Sequence, residues 1–241
     1  MPLPTIATPT YELTLPSTGK KVKYRPFLVK EEKILILALD SKNQFDITNS
    51  VKDVLKKCVL TRGVKIDELP TFDIEYLFLN IRAKSVGEDI NLVVTCPDDK
   101  KTEVPVTIYV DEIEVIKSKE HKKDITLDKD MTLRMKYPSL NQFIENNFDV
   151  EDNPQTTVSK TFQLVADCME TVFTKEDAWD SNDYSPEERM QFIEQLSSKQ
   201  FKEVEKFFAT MPKLSHTIEV TNPNTKKKSS IVLEGLADFF G

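Results

Sequence analysis

Apolar and polar residues alternate from Thr10 to Leu15 and again from Lys21 to Tyr24, on either side of Pro16-Ser17-Thr18-Gly19. A period of two interrupted by turn formers predicts an N-terminal β-hairpin. The period then lengthens. Helical spacing runs over Val29 to Asp40, over Ile47 to Leu60, where Ile47, Val51, Val54, Leu55 and Cys58 share one face, and over Phe72 to Lys84. Asp73 falls in the first turn of the third helix, where a carboxylate suits the helix dipole, and Gly87 ends the unit. Between Asp89 and Lys136 the texture is β-type: Ile90 to Val94, Val104 to Val110, Ile113 to Val115, Ile125 to Leu127 and Met131 to Met135. These predict a small sheet or ribbon, with Pro105 holding its strand to an edge or a start.

A second helical region follows, over Leu140 to Phe148, about Thr157 to Phe173, Pro186 to Leu196 and Lys199 to Thr210. The long helix sets Phe162, Val165, Ala166, Met169, Val172 and Phe173 on one stripe, and Pro186-Glu187-Glu188 reads as a helix start. Thr174 to Ser185 reads as an acidic loop. His216 to Val220 and Ser230 to Leu233 form a second hairpin around Asn222 to Lys228, followed by an apolar tail with Leu236, Phe239 and Phe240. With Pro2, Pro4 and Pro9, the first nine residues make an extended arm. The expected fold is α+β, helix-dominated, with N-terminal and C-terminal β-hairpins and a small central sheet. It divides into an arm (1–9), a hairpin plus helical unit (10–88), a β region (89–137), a helical region (138–212) and a C-terminal hairpin with its tail (213–241).

Composition narrows the function classes. The 241 residues, 39% hydrophobic and 30% charged, suffice for a buried core. The longest apolar run, Ile34 to Leu39, is far too short to span a bilayer, and Met1-Pro2-Leu3-Pro4 lacks the regions of a signal peptide. The expectation is a chain that stays in the cytoplasm where it is made, without membrane insertion. A net charge of −7 and a pI near 5.1 argue against a nucleic-acid partner. The stretch from Glu145 to Glu188 sets twelve carboxylates against Lys160 and Lys175 alone, a solvated acidic face that can also steer partners. Cys58, Cys96 and Cys168, odd in number and far apart, read as buried reduced thiols.

Catalytic chemistry is poorly supplied. The two histidines are His121, in the charged run Lys117 to Lys123 and expected to be exposed, and His216, at the start of a strand. Neither has the setting of a general base for a serine or cysteine nucleophile. Cys96-Pro97-Asp98-Asp99 offers one thiolate without a Cys-x-x-Cys partner, so no metal site is assigned. Five glycines, at 19, 63, 87, 235 and 241, write no phosphate-binding loop, so no nucleotide cofactor is expected. Carboxylates of a glycosidase type lie in polar loops and helix faces rather than in an apolar cleft. No catalytic residue, metal or cofactor is therefore assigned.

What remains suits docking. Arg25-Pro26-Phe27 hands a strand to a helix whose first turn holds Lys30, Glu31 and Glu32. This is either a corner with Phe27 in the core or a surface on which Arg25 and Lys30 meet a partner's carboxylates. Arg82, Lys84 and Glu88 surround the end of the third helix. Tyr76-Leu77-Phe78-Leu79, four consecutive bulky apolar residues, imply burial on two sides, and Phe239 and Phe240 are either tucked into the core or inserted into a neighbour. These ten residues, Arg25, Phe27, Lys30, Glu31, Glu32, Arg82, Lys84, Glu88, Phe239 and Phe240, are the candidate partner-binding set.

The order Tyr24 to Lys33 (YRPFLVKEEK), Phe72 to Leu79 (FDIEYLFL), Arg82 to Glu88 (RAKSVGE) and Leu233 to Phe240 (LEGLADFF) resembles the T4-type bacteriophage baseplate hub subunit and hub assembly family. The resemblance is strongest from about Tyr24 to Cys96, weaker through Lys136-Tyr137-Pro138, and returns over residues 214–240. It implies a non-enzymatic tail protein made in an infected bacterium, docking onto other baseplate hub or tail proteins within an oligomeric assembly of a contractile tail. It admits both a virion subunit and an assembly chaperone that leaves the particle, with a tail-associated cell-wall hydrolase as a remote third. Some relatives carry paired cysteines in the two hairpins, suggestive of metal knuckles. Here the first hairpin retains only Cys96 and the second none, so metal binding is not carried over.

Overall fold

The computed structural model describes residues 6–41, 43–140, 142 and 154–240, with side chains omitted at Leu39, Gln44, 154–158, Leu236, Ala237 and Phe240. The helix expected over Leu140 to Phe148 lies almost entirely outside the described residues. The architecture is α+β, with several small antiparallel sheets packed by helices, and the chain divides into two compact units, 1–116 joined by 213–241, and 117–212.

The first unit opens with the hairpin of β1 (Tyr11–Thr14) and β2 (Lys21–Tyr24), paired antiparallel from Tyr11↔Tyr24 to Thr14↔Lys21. Helices α1 (Val29–Ser41), α2 (Gln44–Cys58) and α3 (Thr71–Val86) follow. The side chain of Asn43 caps α2 by accepting the Phe45 N–H at 2.9 Å. α3 buries Phe72, Asp73, Ile74, Leu77, Phe78, Leu79, Ile81 and Ala83, which point in every direction around its axis. A helix apolar all round must be enclosed, and α3 packs on α2 as well as on strands from both later hairpins. Tyr76 to Leu79 is thus buried on more than one face, and Asp73 serves more than the dipole. It accepts the Ser17 N–H at 3.0 Å and the Ser17 hydroxyl, which pins the turn of the first hairpin to the start of α3.

The strands between 89 and 116 join two small sheets. β3 (Asp89–Thr95) pairs with β4 (Glu103–Tyr109), leaving Pro105 on an edge, and β5 (Glu114–Ile116) pairs with β10 (Lys213–Thr221), which pairs with β11 (Lys228–Glu234). The chain therefore leaves this unit at the end of β5 and returns beside it, with Lys213 opposite Ile116. Leu79 and Ala83 of α3, Ile90, Val94 and Cys96 of the β3 hairpin, Leu214, Ile218, Val220 and Leu233 of the second sheet, and Phe239 of the short terminal helix α7 (Gly235–Phe240) form one core. Gly235 has φ of +70°, a conformation that favours glycine, and a Cβ there would stand 3.1 Å from a Glu75 carboxylate oxygen at the end of that side chain.

The second unit is a four-stranded antiparallel sheet in the order β6 (Asp124–Thr126), β7 (Thr132–Met135), β8 (Met169–Phe173), β9 (Ala178–Asp180). It packs with α4 (Pro154–Asp167), α5 (Pro186–Glu194) and α6 (Ser198–Ala209). Capping boxes at Ser185–Glu188 and Ser197–Gln200 start the last two helices.

Two expectations are overturned here. The long helix stops at Asp167, and Met169 to Phe173 is a central strand. A bulge explains the misreading: Arg134 pairs with Thr171 but Met135 with Met169, so Glu170 is extra, and Met169 and Val172, three apart, both face the core. A helix-like spacing thus arises within a strand. The region Thr174 to Ser185 also contains β9 and a 3-10 turn, whose Ser181 hydroxyl donates to Met169 O at 2.7 Å.

His121 is not exposed. Its ring packs in a three-way aromatic cluster with Tyr137 (centroids 5.5 Å apart) and Phe207 (5.1 Å), which also meet each other at 5.7 Å, with Nδ1 3.0 Å from Thr210 Oγ1 and Nε2 3.0 Å from the Tyr137 hydroxyl. The Thr210 hydroxyl donates to Lys206 O at 2.7 Å. It therefore accepts from Nδ1–H, and Tyr137 donates to Nε2, which assigns the neutral tautomer. Burial, then the charges of Lys117 and Lys123, push the His121 pKa below its ordinary value. A depressed imidazole contributes stability that is present above its unfolded pKa of about 6.5 and is lost as pH falls through the folded one. Thermal unfolding followed by near-UV circular dichroism should show a midpoint that falls between pH 7 and pH 5, and a His121→Gln variant should lose that slope.

Candidate docking surface

The corner at Arg25 to Glu32 is built from three directions. The Arg25 N–H donates to Cys58 O at 3.0 Å and the Leu60 N–H to Lys23 O at 2.8 Å, which seats the end of β2 against the end of α2. The Phe27 N–H donates to Ser85 Oγ at 2.9 Å, and that hydroxyl donates to Ile81 O at 2.6 Å, which fixes the corner to the last turn of α3. Two of the segments singled out from the sequence, Arg25 to Glu32 and Arg82 to Glu88, are thereby brought together. Phe27 is buried, as its place at a corner suggests.

Glu31 sits at the centre. Its carboxylate is fully buried, receives the Leu28 N–H at 2.8 Å, and pairs with Arg25 at 3.2 Å. Arg25 also donates to Pro26 O at 2.8 Å. Burial pushes the Glu31 carboxyl up, but the hydrogen bonds from Arg25 and Leu28, with the charges of Arg25 and Lys30, outweigh it and hold it below the ordinary glutamate value. Arg25 and Glu31, expected to face a partner, are committed to each other. Lys30, 3.6 Å from Glu31, remains exposed, Glu32 is half-buried, and Lys84 and Glu88 form an exposed i,i+4 pair with Lys84 lying 5.5 Å from the Tyr11 ring. Arg82 is half-buried and donates to Asp89 O at 3.4 Å.

At the C-terminal tail, Phe239 is fully buried in the first unit's core, so it fills this chain's own interior and leaves no surface to anchor a neighbour. The side chain of Phe240 lies outside the described set. Sequence reading passed over the outward face of α1, where Val29, Ile36 and Leu37 are exposed. The signal was present in Ile34-Leu35-Ile36-Leu37, a run too bulky for one buried face.

The two hairpin tips of this unit meet. Cys96-Pro97-Asp98-Asp99-Lys100 and Asn222-Pro223-Asn224-Thr225-Lys226 adopt the same turn, with left-handed lysines at φ of 55° and 61° and matching closures: Lys100 N–H to Cys96 O and Lys226 N–H to Asn222 O, both 2.9 Å. The buried Asn222 amide donates to Asp98 at 2.9 Å and to Asp99 at 3.0 Å, and its oxygen accepts the N–H groups of Asn224 and Thr225. Thr225 donates to Asp98, and Asn224 to Thr102 at 3.0 Å. Hydrogen bonds from Thr225 and Asn222 hold the Asp98 carboxyl below its ordinary value, and those from Thr102, Asn222 and Lys101 do the same at Asp99. The contact is made by hydrogen bonds, and among the described residues no group of three or more histidine, cysteine or acidic side chains is arranged to hold a metal ion. All three cysteines are free and buried.

Two predictions follow from these contacts. Arg25→Ala leaves a buried carboxylate without its partner and should cost about 3 kcal/mol of stability in urea unfolding at pH 7. Because the Glu31 pKa is depressed in the folded chain, that loss should shrink as pH falls below about 4. Asn222→Ala removes two hydrogen bonds to carboxylates and should cost about 2 kcal/mol. Asn222→Asp should cost more at pH 7, where a third carboxylate meets Asp98 and Asp99, and should recover part of the loss near pH 4; equal losses at both pH values would show that the carboxylates are not the partners that matter.

No curated protein and no solved structure matches the chain. The sequence model of the family described as T4 bacteriophage base plate protein matches residues 8–241, spanning both units. The chain belongs to that family, the T4 bacteriophage base plate proteins.

Proposed function

We propose that the chain is a baseplate hub subunit that acts without catalysis, by docking onto other hub or tail proteins while the baseplate is built in the host cytoplasm. The observation that carries this reading is the family match over 8–241, which makes both units part of a phage tail protein. The geometry supports docking at one place in particular. The buried Arg25–Glu31 pair and the Phe27–Ser85 bond hold the corner and the end of α3 together, so Lys30, Glu32, Lys84 and Glu88 are offered from a fixed frame rather than from a loop. Rim charges of this kind set orientation and encounter rate more than affinity. No helix of the described residues is long and apolar enough to cross a membrane.

Quantitative mass spectrometry of purified particles against infected-cell lysate tests the reading. A hub subunit appears at a fixed copy number per tail. A chain abundant in lysate and missing from particles is instead an assembly chaperone, and the hub-subunit proposal fails.

A further inference from the structure

The outward face of α1 is apolar and, among the described residues, uncovered. The inward side of the helix carries the buried Glu31 and Ala38 and the half-buried Ile34 and Leu35. On the opposite side Val29, Ile36 and Leu37 expose 79%, 53% and 59% of their surface. At 100° per residue these three share their face with Lys33 and Asp40, both exposed and, among the described residues, without an ion pair. Ile36 and Leu37 lie side by side with Lys33 one turn before them and Asp40 one turn after, and Val29 stands a turn beyond Lys33; aliphatic surface exposed in this way is costly to leave in water.

We propose that this stripe pairs with the same stripe of a second copy of the chain, α1 against α1, antiparallel about a two-fold axis. The order of charges selects this occupant. An axis passing between Ile36 and Leu37 sets Ile36 of one copy opposite Leu37 of the other, and Lys33 of one opposite Asp40 of the other, each contact occurring twice by symmetry. The apolar centre is then flanked at both ends by opposite charges. A parallel pairing would set Lys33 beside Lys33 and Asp40 beside Asp40. One helix pair buries less than the roughly 1,200 Å² of a standard stable interface, so the dimer is weak and concentration-dependent.

Sedimentation equilibrium of the purified full chain over a concentration series is the test. The wild-type chain should shift from monomer towards dimer as concentration rises, and Ile36→Glu with Leu37→Glu should hold it monomeric with an unchanged far-UV circular dichroism spectrum. Lys33→Glu alone and Asp40→Lys alone should each weaken association by about fivefold or more, two ion pairs being replaced by repulsions. The double reversal Lys33→Glu with Asp40→Lys should restore it. A wild-type chain that stays monomeric throughout, a dimer that survives the two glutamates, or a double reversal that restores nothing would overturn the proposal. If the chain is monomeric alone while the double-glutamate variant drops out of tail assembly intermediates, the stripe belongs to a different tail protein. The dimer is measured in isolated protein, so its failure leaves the hub reading intact.

Discussion

The enclosure of α3 is the constraint on which the first unit depends. A sixteen-residue helix with apolar side chains all around its axis cannot lie on a surface, because any face turned to water would expose large aliphatic or aromatic groups. The unit meets that demand from every side. α2 covers one flank, and the sheets of the two later hairpins cover another through Leu79 and Ala83. The terminal helix closes on it through Phe239 and the close approach of Gly235 to Glu75. Polar contacts then fix the register at both ends: Asp73 holds the first hairpin turn at the start of α3, and Ser85 holds the Phe27 corner at its last turn. The candidate docking residues are placed where they are because they sit at the one end of this helix that reaches solvent, at Lys84 and Val86.

This unit is assembled from chain segments nearly a hundred residues apart, since the second unit is inserted between β5 and β10. Closing so long an excursion carries an entropic cost that grows slowly with length and must be offset by the contacts it permits. Three sets of contacts do so. β5 and β10 pair as antiparallel neighbours, the shared core receives Leu214, Ile218 and Phe239 from beyond the insertion, and the two hairpin tips are joined through Asn222. The amide of Asn222 suits that position well. Its two donors reach both carboxylates of the opposite tip while its single oxygen closes its own turn, so every polar atom of a buried side chain is satisfied.

Periodicity made the hairpins, α1, α2, α3, α5 and α6 legible, because in each the buried face follows from local spacing. It failed where tertiary context reset the period. The bulge at Glu170 gave β8 a spacing of three between core residues, which no reading of one strand in isolation can separate from a helix. His121 sits in a run of charges, and only the distant Tyr137, Phe207 and Thr210 make its site buried. The docking residues illustrate a related limit. Sequence marks Arg25 and Glu31 as charged and adjacent to a corner, but charge type alone does not tell an outward pair from one closed on itself, and burial settled that.

Two runs of four bulky apolar residues make the last point. Tyr76-Leu77-Phe78-Leu79 and Ile34-Leu35-Ile36-Leu37 carry the same signal, too much apolar surface for one helix face. In the first, Leu77, Phe78 and Leu79 are all buried, because α3 has neighbours around it. In the second, Ile36 and Leu37 are exposed, while α1 packs on α2. The sequence thus asks for cover on two sides of both helices, and among the described residues α3 has it while Ile36 and Leu37 of α1 stay exposed. A helix that carries the composition of an enclosed element while standing at a surface is what a subunit of a larger assembly requires. The described residues leave this face uncovered, and the placement of Lys33 and Asp40 along it restricts what a partner there can be.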